Sequence, residues 1–246
     1  MKPFQLQIDR WAAWAPGLET PEAWVAWLRA PQPVTTKSVP PLSEMPAMMR
    51  RRIEPLGRVA LQAAYWAQGD APTGPVVLAS RWGEIERSVG MLEQLAAGEA
   101  LSPTAFSLSV HNAIGALFSI ARKDKNNYQA VSAGPFSAEA GFAEAAGLLT
   151  DGAEQVLLVY FDAPLPEAYA GFDTTTTAAT FPHAFACLLS RVKTNNGNNG
   201  ISLTSEPSQA LPTDALPPGL QVLQFLLNED VMMRRHNWLW QRHHAG

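Results

Sequence analysis

Apolar residues along the chain follow two spacings, one typical of strands and one typical of helices. Residues 4–8 alternate Phe, Leu and Ile with Gln, which is the period-two pattern of a first strand. Residues 11–17 are then predicted to turn away from it. Longer apolar runs without alternation are typical of strands buried on both faces of a sheet. Such runs lie at residues 75–80, 155–161 and 183–190.

The stretch 128–161 predicts a strand, a helix and a second strand in succession. Residues 128–132 are a short apolar run that ends at an Ala-Gly-Pro turn around Gly134. Residues 137–149 are rich in Ala and Gly, and their apolar positions recur at helical spacing, so one helix face is small and closely packable. We therefore expect a right-handed βαβ crossover whose helix is enclosed between other layers.

Helical spacing also recurs outside this crossover, and strands alternating with helices predict the α/β class. An amphipathic helix begins at residue 220 and is expected to extend to Met232. The remaining helical patterns lie at residues 45–68, with a break at Pro55, and at residues 81–97 and 103–121.

Turn and tail signals follow the last apolar run. Residues 193–200 contain two Asn-Gly pairs, a strong hairpin signal, after which residues 201–204 are expected to pair back on the preceding strand. From Ser205 the composition becomes rich in Pro. Near the C-terminus, Trp238 and Trp240 are expected to anchor the tail on the core or on a partner.

Composition narrows the class of protein. The chain has 246 residues, of which 47% are hydrophobic and 16% charged, so it can bury a substantial core. A net charge of −4 argues against a general nucleic-acid binder. One cysteine excludes an internal disulfide. The N-terminus has no apolar targeting core and no run is long enough to span a membrane, so we predict a cytoplasmic protein.

Three segments together resemble the β-ketoacyl synthases of the thiolase-like superfamily. Residues 132–136 (SAGPF) occupy the place of the segment that bears the catalytic cysteine in those enzymes, and Gly134 falls at that cysteine. Residues 102–120 are similar to the Ser-Pro segment and helix before the nucleophile, and residues 183–190 are similar to the strand that closes the first half of the enzyme.

The resemblance covers most of residues 1–204 and implies a single thiolase-like α/β/α domain, truncated relative to a full ketosynthase. Residues 205–246 then form a Pro-rich segment and a C-terminal helix that docks on the core or a partner. We expect no counterpart here to the second half of a ketosynthase, which carries two catalytic histidines. The chain most resembles the short chain-length-factor proteins of aryl polyene pathways.

The resemblance implies a subunit that does not catalyse condensation. Decarboxylative condensation needs a thiolate to carry the acyl chain, and Gly134 provides none. Cys187 lies within a predicted strand, where a small core residue is expected. We therefore expect a partner that pairs with an active ketosynthase and shapes its acyl tunnel, as a heterodimer or higher heteromer, without a cofactor.

The family likeness also suggests which residues set the tunnel depth. In ketosynthases the helix before the nucleophile lies beside the dimer axis and lines the far end of the partner's tunnel. The candidates for tunnel or interface are Phe106, Ser109, Ala113 and Phe136, with His111 as a neighbouring polar residue. Ordinary core packing is an equal alternative for each, and a structural hydrogen bond is the simpler interpretation of His111.

Three further possibilities remain open from sequence. A serine hydrolase or acyltransferase would use Ser137, with His111 or His183 as base and Asp162 as orienting acid, although the G-x-S-x-G elbow is missing. A free-standing acyl-binding protein is another. The basic run at residues 50–52 is either a solvated turn or a contact for an acidic acyl carrier protein. A metal site is not predicted, because the spacing of His236, His243 and His244 matches no common zinc motif.

Overall fold

The computed structural model describes residues 3–173, 180–192, 200–207, 214 and 216–243. The strands in chain order are β1 (Phe4–Trp14), β2 (Val76–Ala79), β3 (Tyr128–Val131), β4 (Gln155–Asp162), β5 (His183–Ser190), β6 (Gly200–Ser205), β7 (Met232–Arg235) and β8 (Trp238–His243). The α-helices are α1 (Pro21–Arg29), α2 (Ala47–Arg50), α3 (Pro55–Gln68), α4 (Ile85–Ala96), α5 (Pro103–Ser107), α6 (Ala113–Arg122), α7 (Ser137–Thr150) and α8 (Pro218–Leu227). Short 3₁₀ turns lie at Gly134–Phe136 and Glu167–Phe172.

All of these strands belong to one mixed sheet, in the order β3-β2-β4-β5-β1-β6-β8-β7. β2 pairs in parallel with both β3 and β4, so the chain from β3 through α7 to β4 crosses over β2. Every other pair in the sheet is antiparallel. The βαβ crossover predicted for residues 128–161 is confirmed.

The sheet is covered by helices on both faces. Along β4, Leu158 and Tyr160 pack in the cluster that contains Phe142 of α7. The residues between them face the opposite cluster, where Val159 packs with Leu61 of α3. Successive strand residues point to opposite faces, so both faces of β4 are buried. The α/β/α layering and the doubly buried strand are confirmed.

The small face of α7 allows this helix to lie unusually close to the sheet. A Cβ placed on Gly141 would come within 2.8 Å of Cδ1 of Leu158 and 2.9 Å of the Cβ of Ala79. Real Cβ atoms do not approach other heavy atoms so closely, so the contact depends on glycine. Glycine at position 141 therefore allows α7 to pack closely against β2 and β4.

α5 and α6 are separate helices, so the single helix predicted for residues 103–121 is wrong. The hydroxyl of Ser107 donates to the carbonyl oxygen of Thr104 at 2.9 Å, and that of Ser109 donates to the carbonyl oxygen of Phe106 at 2.8 Å. Serine hydroxyls that bond nearby carbonyls compete with helical hydrogen bonds. The first helix therefore ends at Ser107 in this polar stretch, and the second begins at Ala113, where the sequence becomes apolar.

β1 continues to Trp14, so the predicted turn at residues 11–17 begins too early. The pairing with β5 shifts register between Ile8 and Arg10, which marks a β-bulge. Beyond the bulge, Ala13 and Trp14 are both buried because β1 is central in the sheet. Burial on both faces removes the alternation that sequence reasoning relies on.

β6 pairs with β1 rather than β5, so the predicted pairing of residues 201–204 with the preceding strand is wrong. The edge of β5 away from β4 is already occupied by β1. The Asn-Gly turn predicted just before β6 lies at residues 193–199, outside the described residues.

The described part of the C-terminal segment forms α8 and a β-hairpin. α8 ends at Leu227, and the next residue bonds Asp230 through its side chain, so the prediction that the helix extends to Met232 is wrong. A turn formed by an Asn side chain is a common helix stop. β8 pairs with β6, and α8 contacts α1 and α7. A domain division between residues 204 and 205 stays a prediction.

Candidate functional site

Gly134, which the sequence predicts to replace a lost nucleophile, lies in the turn between β3 and α7. Its φ is +54°, in the left-handed region that favours glycine. A Cβ added here would have no heavy atom within 4 Å. The turn therefore leaves room for a side chain at this position but holds none.

Ser137, the alternative nucleophile, is committed to the turn itself. Its side chain is fully buried. The hydroxyl donates to the carbonyl oxygen of Gly134 at 2.8 Å and accepts from the backbone N–H of Ala133 at 3.0 Å. With donor and acceptor both used on backbone atoms, the hydroxyl closes the turn and is poorly placed to attack a substrate.

The histidines proposed as bases have other surroundings. His183 is fully buried, its Nδ1 lies 2.8 Å from the carbonyl oxygen of Phe181, and burial lowers its pKa. His111 packs on Gly83, where an added Cβ would lie 2.6 Å from its Nδ1. Burial also lowers the pKa of His111, while the nearby carboxylate of Asp162 acts in the opposite direction. Both histidines therefore favour the neutral form.

Phe136 is the one tunnel candidate that lies on the turn, and it is half-buried. Its ring stacks on His236, with 5.0 Å between ring centroids and 13° between planes. The guanidinium carbon of Arg235 lies 5.9 Å from the centroid of the Phe136 ring. The C-terminal hairpin therefore reaches the turn, a contact that the sequence did not reveal.

Arg235 also forms a buried ion pair with Glu139 in the first turn of α7. The Glu139 side chain is 0% exposed and that of Arg235 is 4% exposed. Burial raises the pKa of Glu139, and the neighbouring guanidinium opposes that rise. A charge inside the Ala/Gly-rich helix was the available sequence signal for a buried partner, because such charges are rarely buried unpaired.

The other tunnel candidates lie on α5, on α6 and in the connection between them. Phe106 is 63% exposed, Ser109 is half-buried, and Ala113 is buried at the start of α6. α6 packs on the face of the sheet that carries α3, whereas α7 covers the opposite face. α6, which begins at Ala113, therefore lies on the other side of the sheet from α7, which follows Phe136. The roles of these candidates stay predictions.

A second buried network joins the carboxyl ends of β2 and β4. Asp162 accepts from Ser80 Oγ at 3.1 Å, Arg81 Nε at 2.7 Å and the Tyr160 hydroxyl at 2.5 Å. Arg81 also pairs with Asp173, beyond the Glu167–Phe172 turn, at 3.0 Å. One arginine therefore links two strand ends and the connection towards β5. Charged residues directly after buried strands were the sequence signal.

The remaining sequence predictions concern Cys187, the basic run and the tail. Cys187 is buried in β5, and burial raises the pKa of its thiol to about 12, so its core position is confirmed. Arg50 Nη1 donates to the carbonyl oxygen of Pro41 at 3.0 Å, while the two arginines that follow are exposed. Trp240 is fully buried and meets Phe142 edge to face, which confirms docking on the core.

The histidines of the tail do not converge in the described part of the chain. His236 stacks on Phe136, and His243 Nε2 lies 2.9 Å from Ser202 Oγ. His244 lies outside the described residues. Within the ranges that the structure describes, no group of three His, Cys, Asp or Glu side chains is placed to hold a metal ion. None of the helices in those ranges has the length and apolar character needed to cross a membrane.

The three layers and the small-residue turn before a buried helix define the class as thiolase-like α/β. The family model for the N-terminal domain of β-ketoacyl synthases matches residues 24–241, and the chain belongs to this family. A chain in the complex of the ketosynthase ApeO with its chain length factor ApeC from Xenorhabdus doucetiae is 31% identical, with a TM-score of 0.83. The match covers 97% of this chain and 99% of that one.

More distant structures share the fold. The ishigamide ketosynthase/chain length factor has a TM-score of 0.62 at 17% identity, over 83% of this chain and 67% of that one. A β-ketoacyl synthase from Burkholderia phymatum STM815 has a TM-score of 0.59 at 14% identity, over 85% of this chain and 66% of that one. No protein of curated function matches the chain.

Proposed function

We propose that this chain is a non-catalytic chain-length-factor subunit. It pairs with an active β-ketoacyl synthase and shapes the acyl tunnel of that enzyme during the synthesis of polyenes or related polyketides. The observation that carries the proposal is Gly134, which occupies the turn at the start of α7 and offers no nucleophile. The catalytic residues of the complex then belong to the partner.

The rest of the chain's chemistry supports the same function. Acyl transfer to a thiol requires a thiolate that substrate can reach. Cys187 is fully buried in β5 and has a pKa of about 12, so its thiol is neutral and enclosed. The buried Ser137 hydroxyl bonds two backbone atoms, which argues against its use as the nucleophile of a hydrolase.

The extent of one structural match supports the same function. The match to a chain of the Xenorhabdus complex covers 97% of this chain and 99% of that one. The Xenorhabdus complex consists of a ketosynthase and its chain length factor. A chain that matches one subunit of such a complex from end to end is well suited to the same kind of assembly.

A surface suited to the partner lies beside β3. Among the described residues, β3 is the end strand of the sheet, so its outer edge presents backbone groups that no other described strand pairs with. Ile120 on α6, which packs against β3, is 63% exposed. Phe106 on α5 is also 63% exposed, and Val110, in the connection between α5 and α6, is 45% exposed. Large apolar side chains beside a free strand edge favour burial by another protein. We also expect acyl carrier protein to contact the complex. A cytoplasmic location of this chain stays a prediction.

Co-expression with the ketosynthase that we expect to be encoded beside this chain tests the proposal. The tagged ketosynthase should retain this chain in a fixed ratio, measured by size-exclusion chromatography with light scattering. The purified complex should extend acyl groups, whereas this chain alone should not. Ile120→Lys should weaken the complex, while Val231→Lys, a change at a residue that is 60% exposed in the tail, should not.

Two results would overturn the proposal. One is a monodisperse monomer that does not bind the ketosynthase, which would favour a free-standing acyl-binding protein. The other is a complex that still condenses acyl groups after the nucleophilic cysteine of the partner has been replaced by alanine. Cys187→Ala in this chain is the matched control, and it should leave turnover by the wild-type partner unchanged.

A further inference from the structure

Arg235 directs its guanidinium group at three separate elements. Its Nε donates to Oε1 of Gln221 on α8 at 2.9 Å. Its Nη1 pairs with the carboxylate of Glu139 on α7, and its Nη2 donates to the carbonyl oxygen of Pro135 at 3.2 Å. Because the guanidinium fork is planar and rigid, these three contacts fix the relative positions of both helices and the turn.

The hairpin loop places the next residue against the same turn. Arg235 on β7 pairs with Trp238 on β8, which leaves His236 and one further residue as the loop. His236 has a φ of +51°, the left-handed conformation of tight two-residue hairpin loops. In this conformation its ring stacks on Phe136. The backbone of Pro135 and the ring of Phe136 are therefore both held from the C-terminal hairpin.

A buried ion pair adds little to the stability of a fold, but it can fix the relative positions of the groups that it joins. Removing two charges from water costs energy that their attraction repays only in part, and well-packed apolar residues often replace such pairs without loss. Arg235 and Glu139 are nonetheless both almost fully buried. Their arrangement therefore accounts better for the position of the turn than for the stability of the fold.

We propose that Arg235 is a positioning residue that fixes the Pro135–Phe136 turn and, through the ring of Phe136, limits the length of the acyl chain made by the complex. This inference rests on the proposed function. It adds that the C-terminal hairpin, and not only the helices before the turn, controls the end of the tunnel. Arg235 acts through Phe136 and does not itself touch the acyl chain.

The test measures product length in the reconstituted complex by mass spectrometry. The double variant Glu139→Leu/Arg235→Met removes both buried charges together. It should still assemble and turn over, but its product distribution should broaden towards longer chains by at least one two-carbon unit. Arg234→Gln is the matched control, because Arg234 lies on the same strand and pairs with Glu206 at the surface. It should leave the distribution unchanged.

A second set of variants isolates the route through Phe136. Phe136→Ala should lengthen the product by itself, and adding the double variant should then change little more, because Arg235 acts through that ring. Arg235→Lys keeps the charge opposite Glu139 but lacks the fork, so it should also broaden the distribution. If the double variant does not fold, the product distribution of Arg235→Lys tests the positioning role instead.

The outcomes separate this inference from the proposed function. Wild-type chain that does not bind the ketosynthase overturns the proposed function. Wild-type chain that supports condensation, with an unchanged product distribution in folded Arg235 variants, overturns the positioning role alone. Full additivity of the Phe136 and Arg235 effects would also overturn it, because the two residues would then act independently.

Discussion

Nε of Arg81 lies 2.7 Å from Oδ2 of Asp162, which joins the ends of β2 and β4 through a buried ion pair. Both side chains are 2% exposed. The parallel strands β2 and β4 are therefore held together at the strand ends near which the Gly134 turn lies. The pair stabilises the strand ends near this turn and contributes no reactive group to it.

Replacing Arg81 by Met should strongly destabilise the fold. Asp162 would lose a charged partner while still buried, and the breaking of such pairs costs about 3–5 kcal/mol. Urea denaturation followed by circular dichroism measures the loss. Arg234→Gln, which breaks a partly exposed pair with Glu206, should cost about 1 kcal/mol or less. Equal effects of the two changes would contradict the structural role of Arg81.

Gly141→Ala should destabilise the chain even though alanine is the better helix former. The added Cβ would lie 2.9 Å from the Cβ of Ala79 in β2, which cannot rotate away. Overpacking of this kind costs about 1–3 kcal/mol. Gly147→Ala on the same helix meets nothing within 4 Å and should stabilise by about 0.5–1 kcal/mol. Melting temperatures that move in the same direction would contradict the close contact.

Glu84 should make stability depend on pH. Burial raises the pKa of its carboxyl from 4.5 to about 7, with the charge of Arg87 acting in the opposite direction. The folded state therefore holds a proton that the unfolded state releases. This contribution is fully present below pH 4.5 and is lost as the pH rises through 7.

Glu84→Gln should remove that loss, because glutamine is neutral at every pH. The gain well above pH 7 is expected to be at most ~3.5 kcal/mol, from ~1.4 kcal/mol for each unit of pKa shift. Urea midpoints at about pH 5 and about pH 8 measure it. Glu93→Gln, at an exposed residue of α4 whose charge does not contribute to the shift of Glu84, is the control and should keep the wild-type slope. A slope that persists in Glu84→Gln would assign the loss to another group.

Gly134→Cys should fold and present a reactive thiol. The site has open space, and the left-handed φ should cost a non-glycine residue about 1–2 kcal/mol. A chromogenic disulfide reagent should therefore label one thiol in the native variant and none in the wild-type chain, where Cys187 is buried. A native variant that resists labelling would show that the turn does not face solvent or a channel.

Ser109→Phe should shorten the product of the complex without abolishing condensation. Ser109 is half-buried in the connection between α5 and α6, so a larger side chain there would project into neighbouring space. Ser107→Phe is the matched control, since Ser107 is exposed at the end of α5. Product lengths measured by mass spectrometry decide between tunnel and packing roles. An unchanged length with intact binding would remove Ser109 from the tunnel candidates.

Sequence reasoning succeeded where local pattern is sufficient. The apolar run of β4 and the Ala/Gly spacing of α7 are enough by themselves to predict that these elements are buried. The crossover and the layers could therefore be predicted. It failed where burial erased alternation, as at Ala13 and Trp14 of β1. It could not find the pair of Glu139 and Arg235, because these residues are 96 positions apart and nothing local to either one identifies the other.

The central place of β1 has a consequence for how the chain is synthesised. Its partners are β5 and β6. Trp14 can therefore pair only after Ala184 has been synthesised, and Phe4 only after Leu203. Domains whose pairings are so distant in sequence fold slowly and expose apolar strands to aggregation in the meantime. After β1 emerges from the ribosome, it therefore stays unpaired until most of the protein has been translated. Chaperones that bind extended apolar segments should protect that strand during translation.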